Sequence, residues 1–416
     1  MPVMKSAPIY RSFAYLSFLM ALSATSFGLG FRIPDQGAAA TARGDAFAAT
    51  ADDPSAIYYN PAGIAQLSGT RALLGGYAIS LKTRVSLDAP GDNSDFHNTN
   101  THLQAVPTFF ATWKPEGSRL ALGVGTYVPF GFAITYPDDT PFRTIARKGS
   151  IQMTTINPTA AYQLTDTLSI GLGATINYGR AELDRGIVIP GDNFRFKGDG
   201  VTYGFDAGIM WSPHRMHHFG LTYRSATRVD FSGHSSVDID SFKIATPFGP
   251  FKVPGTHTRE DADAVFDMPQ TITFGYSFRP TEDWNFEFNL DWADWDKLNT
   301  VTLHQTSGDV AIPFNWKSSF MYEFGVTKKF AHNFHASVGY VYSETSVPNE
   351  SFSPAIPDSN RHIVSAGFGQ SYDHFNWNVA YQYTYSPARS VVQGTTADGT
   401  YRFDSHAVTL SLGYNF

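Results

Sequence analysis

The chain has 416 residues, a formal charge of -7, 15% aromatic residues and only 16% charged ones, against a usual charged share of about 25%. It has no cysteine, which excludes disulfides, and no basic cluster that would suit nucleic acid. Beyond the N-terminus no apolar run reaches the roughly 20 residues of a spanning helix. Together with 36 glycines, this favours a membrane β-barrel over a large secreted β-protein.

The chain opens with Lys5 and Arg11 flanking a short positive region. An apolar stretch from Phe13 to Leu22 follows, and then the small residues Ala24-Thr25-Ser26. That order reads as a secretory signal over residues 1–26, with the mature chain starting near Phe27. Residues 27–68 do not alternate. They are rich in small residues, with a helix expected around Ala38 to Ala49 and another start at Asp52-Asp53-Pro54-Ser55, before Asn60-Pro61 turns the chain. A compact segment of this kind ahead of a barrel is expected to form a partly helical hatch that plugs the lumen.

From Thr70 the pattern becomes hairpins, and residues 69–416 are expected to form an all-β, 14-stranded antiparallel transmembrane barrel. The expected strands run over 70–84, 102–114, 119–131, 149–163, 167–181, 199–212, 217–232, 264–279, 284–303, 315–329, 333–345, 361–371, 374–387 and 403–416. Short turns alternate with long loops, as in outer-membrane barrels, and an even strand number brings the hatch in from the periplasmic end. Strand nine puts Phe286, Phe288, Leu290 and Trp292 on one face and Asn285, Glu287, Asn289 and Asp291 on the other. A wet lumen suits that second face better than a dry core. Strand thirteen directs Phe375, Trp377, Val379, Tyr381, Tyr383 and Tyr385 outward. Strand fourteen closes on Phe416 after Val408, Leu410, Leu412 and Tyr414, a terminal aromatic strand of the kind barrel assembly machinery reads. Inward positions in strands three and five are small (Ala121, Gly123, Gly125; Ser169, Gly171, Gly173), which leaves room for a plug or serves sheet coiling.

No catalytic constellation stands out. A Gly-x-Ser-x-Gly elbow is absent, and the 13 histidines, among them His102, His217 and His218, lack metal-ligand spacing. No cofactor and no metal are expected. A plug argues against a general porin, the remaining transport alternative, and a purely adhesive barrel would not need one.

The stretch Ala51-Asp52-Asp53-Pro54-Ser55-Ala56-Ile57-Tyr58-Tyr59-Asn60-Pro61-Ala62-Gly63 resembles the Asn-Pro-Ala hatch of the FadL family of outer-membrane long-chain fatty acid transporters, which also includes importers of aromatic hydrocarbons. Four further matches follow in order: Val128-Pro129-Phe130-Gly131, Ile156-Asn157-Pro158, Asp291-Trp292-Ala293-Asp294-Trp295 and Ile356-Pro357-Asp358-Ser359-Asn360-Arg361. The set is specific although each motif is weak. The resemblance implies passive import of a hydrophobic ligand by a monomer, with sideways release into outer-membrane lipid through a gap at a kinked strand. The kink is expected in strand three at Pro129, Phe130 and Gly131, since Pro129 cannot donate to a ladder; the alternative is that Pro129 ends the strand.

Ligand collection is expected from apolar loop residues Phe132, Ile134, Tyr136 and Phe142 after strand three and Phe242, Ile244, Phe248 and Phe251 after strand seven. Arg224, Lys317 and Arg361 are the inward cations available for a carboxylate, unless they pair with lumenal Glu287, Asp291 or Glu323. Phe31 is expected to line the pocket, and Arg43 to anchor the hatch. Gating is expected where ligand displaces hatch residues near Asn60, Pro61 and Ala62 and a path opens to the gap at Pro129–Gly131.

Overall fold

The computed structural model describes residues 30–88, 95–99, 103–187, 189–247 and 249–416. The signal segment and Phe248 therefore lie outside the described residues. Fourteen strands form one closed antiparallel barrel. They are β1 (Gly69–Leu87), β2 (Gln104–Lys114), β3 (Leu120–Thr135), β4 (Lys148–Gln163), β5 (Leu168–Arg185), β6 (Asn193–His214), β7 (His217–Arg224 and Thr227–Ile239), β8 (Thr256–Met268 and Thr271–Phe278), β9 (Trp284–Ala293, resuming as Thr300–Gln305), β10 (Ser319–Lys329), β11 (Phe334–Ser343), β12 (Arg361–Tyr372), β13 (Phe375–Val391) and β14 (Gly399–Asn415). Closure is made by β1 against β14, from Arg71↔Asn415 to Leu87↔Gly399, so the sheet has no free edge there.

The expected faces hold. Along β9, Asn285, Glu287, Asn289 and Asp291 are buried, whereas Phe286 is exposed. Along β14 the exposed residues include Val408, Leu410, Leu412, Tyr414 and Phe416. Period-two patterning survives because outward side chains form the barrel's lipid-facing surface and inward ones its interior.

Several boundaries differ from expectation. Residues 294–299 interrupt β9: a 3-10 turn at Trp295–Lys297 leaves Trp295 fully buried. Strand β3 does not end at Pro129 but continues to Thr135, with a one-residue register shift against β4 between Tyr127 and Phe130. After β7, Phe242–Thr246 pairs with Gly249–Val253 as a two-stranded hairpin in a sheet of its own.

The segment before β1 holds little regular structure. It contains α1 (Ala38–Thr41), α2 (Ala56–Tyr59) and a 3-10 turn at Pro61–Gln66. The helix expected to reach Ala49 stops early because Gly44 and Asp45 take left-handed backbone, φ 63° and 57°, which ends a right-handed helix.

Candidate functional site

The site begins where β3 leaves its neighbour. Strand β3 pairs with β2 only between Phe109↔Thr126 and Trp113↔Leu122. Strand β2 itself runs on to Gln104, its other edge paired with Ile79 of β1. Among the described residues no ladder joins residues 104–108 to residues 127–135. Residues 127–134 of β3 are buried on both faces, whereas a strand facing lipid would expose every second one. The upper part of β3 thus turns inward.

The freed edge is covered by the chain's N-terminal segment. Ile33 N–H donates to Pro129 O and Gly131 N–H donates to Phe31 O, both at 2.8 Å, with Arg32 opposite Phe130. The Gln36 side chain extends the pairing, donating to Val128 O at 2.9 Å and accepting from Val128 N–H at 3.3 Å. Pro129, which has no N–H, presents its carbonyl to this edge, the edge that β2 leaves unpaired. The kink at Pro129, Phe130 and Gly131 is therefore a register shift and an inward turn.

Phe31 is fully buried. Its ring centroid lies 4.8 Å from Trp295, 5.7 Å from Phe132 and Trp316, 5.8 Å from Phe266 and 6.1 Å from Phe130. These rings belong to one apolar cluster that continues through Met153 and Phe231 to Phe352 and Ala397 in the long loops. Phe132 and Ile134, expected in an exposed loop, belong to β3, and Tyr136 and Phe142 are buried in the same cluster. They are interior lining because β3 carries them inward. After β7, Ile244 and Phe251 are exposed, as a collecting surface requires.

The rest of the segment is tied to inward-facing wall residues. Asn60 caps the 3-10 turn by accepting from Ala62 N–H at 3.1 Å, and it donates to Ala48 O at 2.8 Å and Ile209 O at 3.1 Å. Pro61 and Ala62 lie so close to β5 that a Cβ on Gly171 would fall 2.3 Å from Pro61 C and 2.4 Å from Ala62 N; on Gly208 of β6 it would fall 2.2 Å from Asn60 Oδ1. Gly123 and Gly125 face Ile57 in the same way, whereas Gly173 faces Asn157 and Asp206 of the wall. Space for the segment is thus one reason for the small inward residues, at Gly123, Gly125 and Gly171.

Charges complete the seat. Arg32 Nη1 sits 2.5 Å from Asp291 Oδ1. Glu287 accepts from Ala49 N–H at 2.8 Å and lies 3.6 Å from Arg43, and Arg43 stacks on Phe47. Arg224 Nη2 donates to Tyr58 O at 3.0 Å, and its guanidinium lies over the Tyr58 and Tyr127 rings. Asn289 links Asp45 O to Glu323. The lumenal acids of β9 thus hold the N-terminal segment instead of Lys317 or Arg361.

Lys317 is placed differently from expectation, and Arg361 pairs with an acid other than the three expected. Lys317 is exposed, because residues 314–318 are irregular and Asn315, at φ 47°, breaks the alternation that Ser319 and Met321 would extend backward. Arg361 is fully buried, paired with Asp358 at 2.8 Å and stacked on Phe403 at 4.5 Å. Arg32, Asp35, Trp295 and Trp316 were not identified as functional by the spacing. Of these only Trp295 stood inside a quoted motif.

Asp35 is buried and accepts from Gln382 Nε2 at 2.9 Å. Burial pushes its carboxyl up to about 6. Because the folded value lies above the ordinary 3.8, the folded protein binds more protons across that interval. The resulting stabilisation is full below pH 4 and is lost as pH rises through 6. Protection of residues 30–60 from amide exchange is expected to fall between pH 4 and pH 7; protection that rises over this range would refute the coupling.

Comparison with known proteins places this geometry. Residues 19–416 match the family described as "Outer membrane protein transport protein (OMPP1/FadL/TodX)". The chain belongs to this family. It is 20% identical to the long-chain fatty acid transport protein of Escherichia coli O157:H7, covering 99% of each chain. A Pseudomonas aeruginosa FadL homologue superposes with a TM-score of 0.80 at 20% identity over 93% of this chain and 100% of the other. The Pseudomonas putida toluene transporter TodX gives 0.68 at 16% identity, with 95% and 100% covered. As a FadL/TodX-family member the protein is an outer-membrane β-barrel transporter of hydrophobic compounds and not an enzyme.

Proposed function

We propose that this FadL/TodX-family channel admits long-chain fatty acids by passive diffusion and releases them sideways into the outer membrane between β2 and β3. The observation that carries this reading is the unzipped β2–β3 edge, which residues 31–36 cover from Val128 to Gly131. The glycine-seated segment of residues 30–68 acts as the hatch. Ligand rising in the lining around Phe31 displaces it, and movement near Asn60, Pro61 and Ala62 clears the path to Pro129 and Gly131. The apolar lining, continuous from Phe352 to Phe31, suits an alkyl chain, and the named activity of the Escherichia coli relative supports that substrate class. Nothing in the sequence couples energy, so only differential affinity for the two hatch states drives the change.

The five rings around Phe31 favour a second reading, passage of monoaromatic hydrocarbons. Uptake of labelled oleate and of toluene, in a host lacking its own transporter, separates the two. Oleate uptake that depends on this gene is the expected result. Toluene uptake alone would favour the second reading, and uptake of neither would overturn both.

A further inference from the structure

We infer that the indole N–H of Trp295 is a specificity-determining hydrogen-bond donor for the ligand's polar head, so the pocket selects apolar molecules that carry a neutral or anionic acceptor such as an ester, carboxylate or hydroxyl. This rests on the transport reading above.

Trp295 is fully buried, yet its Nε1 has no hydrogen-bond partner among the described residues. Buried indole N–H groups nearly always find an acceptor, so an unmatched one calls for a cause. In the same cluster the Tyr401 hydroxyl donates to Ala397 O at 2.7 Å, while the Tyr136 hydroxyl is likewise unmatched. The indole edge that carries the unmatched N–H packs against the N-terminal segment. A Cβ on Gly30 would fall 3.0 Å from Trp295 Cε2, the carbon bonded to Nε1, and 2.8 Å from Cζ2. Gly30, at φ 69°, permits that approach, and the Phe31 ring follows it at 4.8 Å from Trp295. The described residues of the segment that covers the indole edge offer it no acceptor, so displacing them costs no hydrogen bond there. A ligand that takes its place and brings an acceptor gains one.

The indole position is fixed. Trp295 sits in the turn that interrupts β9, flanked by Asp294, which accepts from Gln270 Nε2 at 2.8 Å, and Asp296, which accepts from Ser318 N–H at 2.7 Å. The buried cations Arg32 and Arg361 pair with Asp291 and Asp358, and Lys297 and Lys317 are exposed. A neutral donor then reads an ester as well as a carboxylate, whereas a cationic site would favour the carboxylate.

The test is calorimetric binding of dodecane, methyl laurate and sodium laurate to the detergent-solubilised wild type and to Trp295→Phe. The variant is expected to bind methyl laurate and laurate about tenfold more weakly, the value of roughly one hydrogen bond, and dodecane within twofold of wild type. Equal changes for all three ligands, or none, would overturn the inference. A wild type that binds methyl laurate no more tightly than dodecane also overturns it, whether or not the variant folds. Binding of none of the three by the wild type would instead count against the transport reading itself.

Discussion

Oxidising an Arg32→Cys/Phe130→Cys protein is expected to cut ligand uptake at least tenfold, and reduction is expected to restore it. The two positions face each other across the short ladder between the N-terminal segment and β3. The flanking bonds run from Ile33 N–H to Pro129 O and from Gly131 N–H to Phe31 O, which makes Arg32 and Phe130 a non-hydrogen-bonded pair. Such pairs have Cα atoms about 4.5 Å apart, within the range a disulfide spans. The natural chain has no cysteine, so the introduced pair has no competing thiol. Reduced protein of the same sequence is the control for losing the Arg32–Asp291 ion pair and the Phe130 ring. If the segment must leave β3 before ligand exits, the crosslink blocks exit while binding persists. Equal uptake by oxidised and reduced protein would show that the segment does not move off β3 during transport.

Enlarging the glycine seat of the hatch is expected to have the second large effect. Gly171 and Gly208 are register partners on β5 and β6, and both abut Asn60-Pro61-Ala62. A Cβ at either site would meet atoms closer than 2.5 Å, largely backbone at Gly171. Something must shift, and overpacking of this kind costs about 1–3 kcal/mol per site. The ladder between β5 and β6 is continuous on both sides, so the hatch yields before the wall. Gly171→Leu/Gly208→Ala is expected to raise single-channel conductance in planar bilayers, because a fourteen-stranded barrel is wide enough to conduct once emptied. Leu172→Val, on the outward face of β5, should leave conductance unchanged. A double variant as closed as wild type would mean that the segment does not occlude the lumen.

How much of this was readable beforehand differs by element. Outward aromatic residues and inward polar ones along β9 and β13 repeat at period two, so strand number and faces were legible without neighbours. The short size of Gly171 was legible as well, but its cause was not, since sheet coiling explains an inward glycine equally. Lys317 shows the limit of extrapolated alternation: five irregular residues before Ser319 were enough to turn it outward. Phe132 and Phe142 show another, because an apolar run past a proline reads as a collecting loop whether the chain emerges from the barrel or folds into it. Arg361 sits in its quoted motif, but only the structure pairs it with Asp358 and stacks it on Phe403.

By itself the sequence determined the barrel, the number and order of its strands and the family, because these follow from local alternation and from motifs in fixed order. The tertiary structure alone decided that residues 31–36 take the place of β2 beside the upper part of β3. It also decided that β9 acids hold the N-terminal segment and that the buried Trp295, its N–H unmatched, packs against Gly30. Those pairings join residues about 100 to 260 positions apart. No periodicity encodes such contacts; they exist only once closure of the barrel fixes where each inward side chain points.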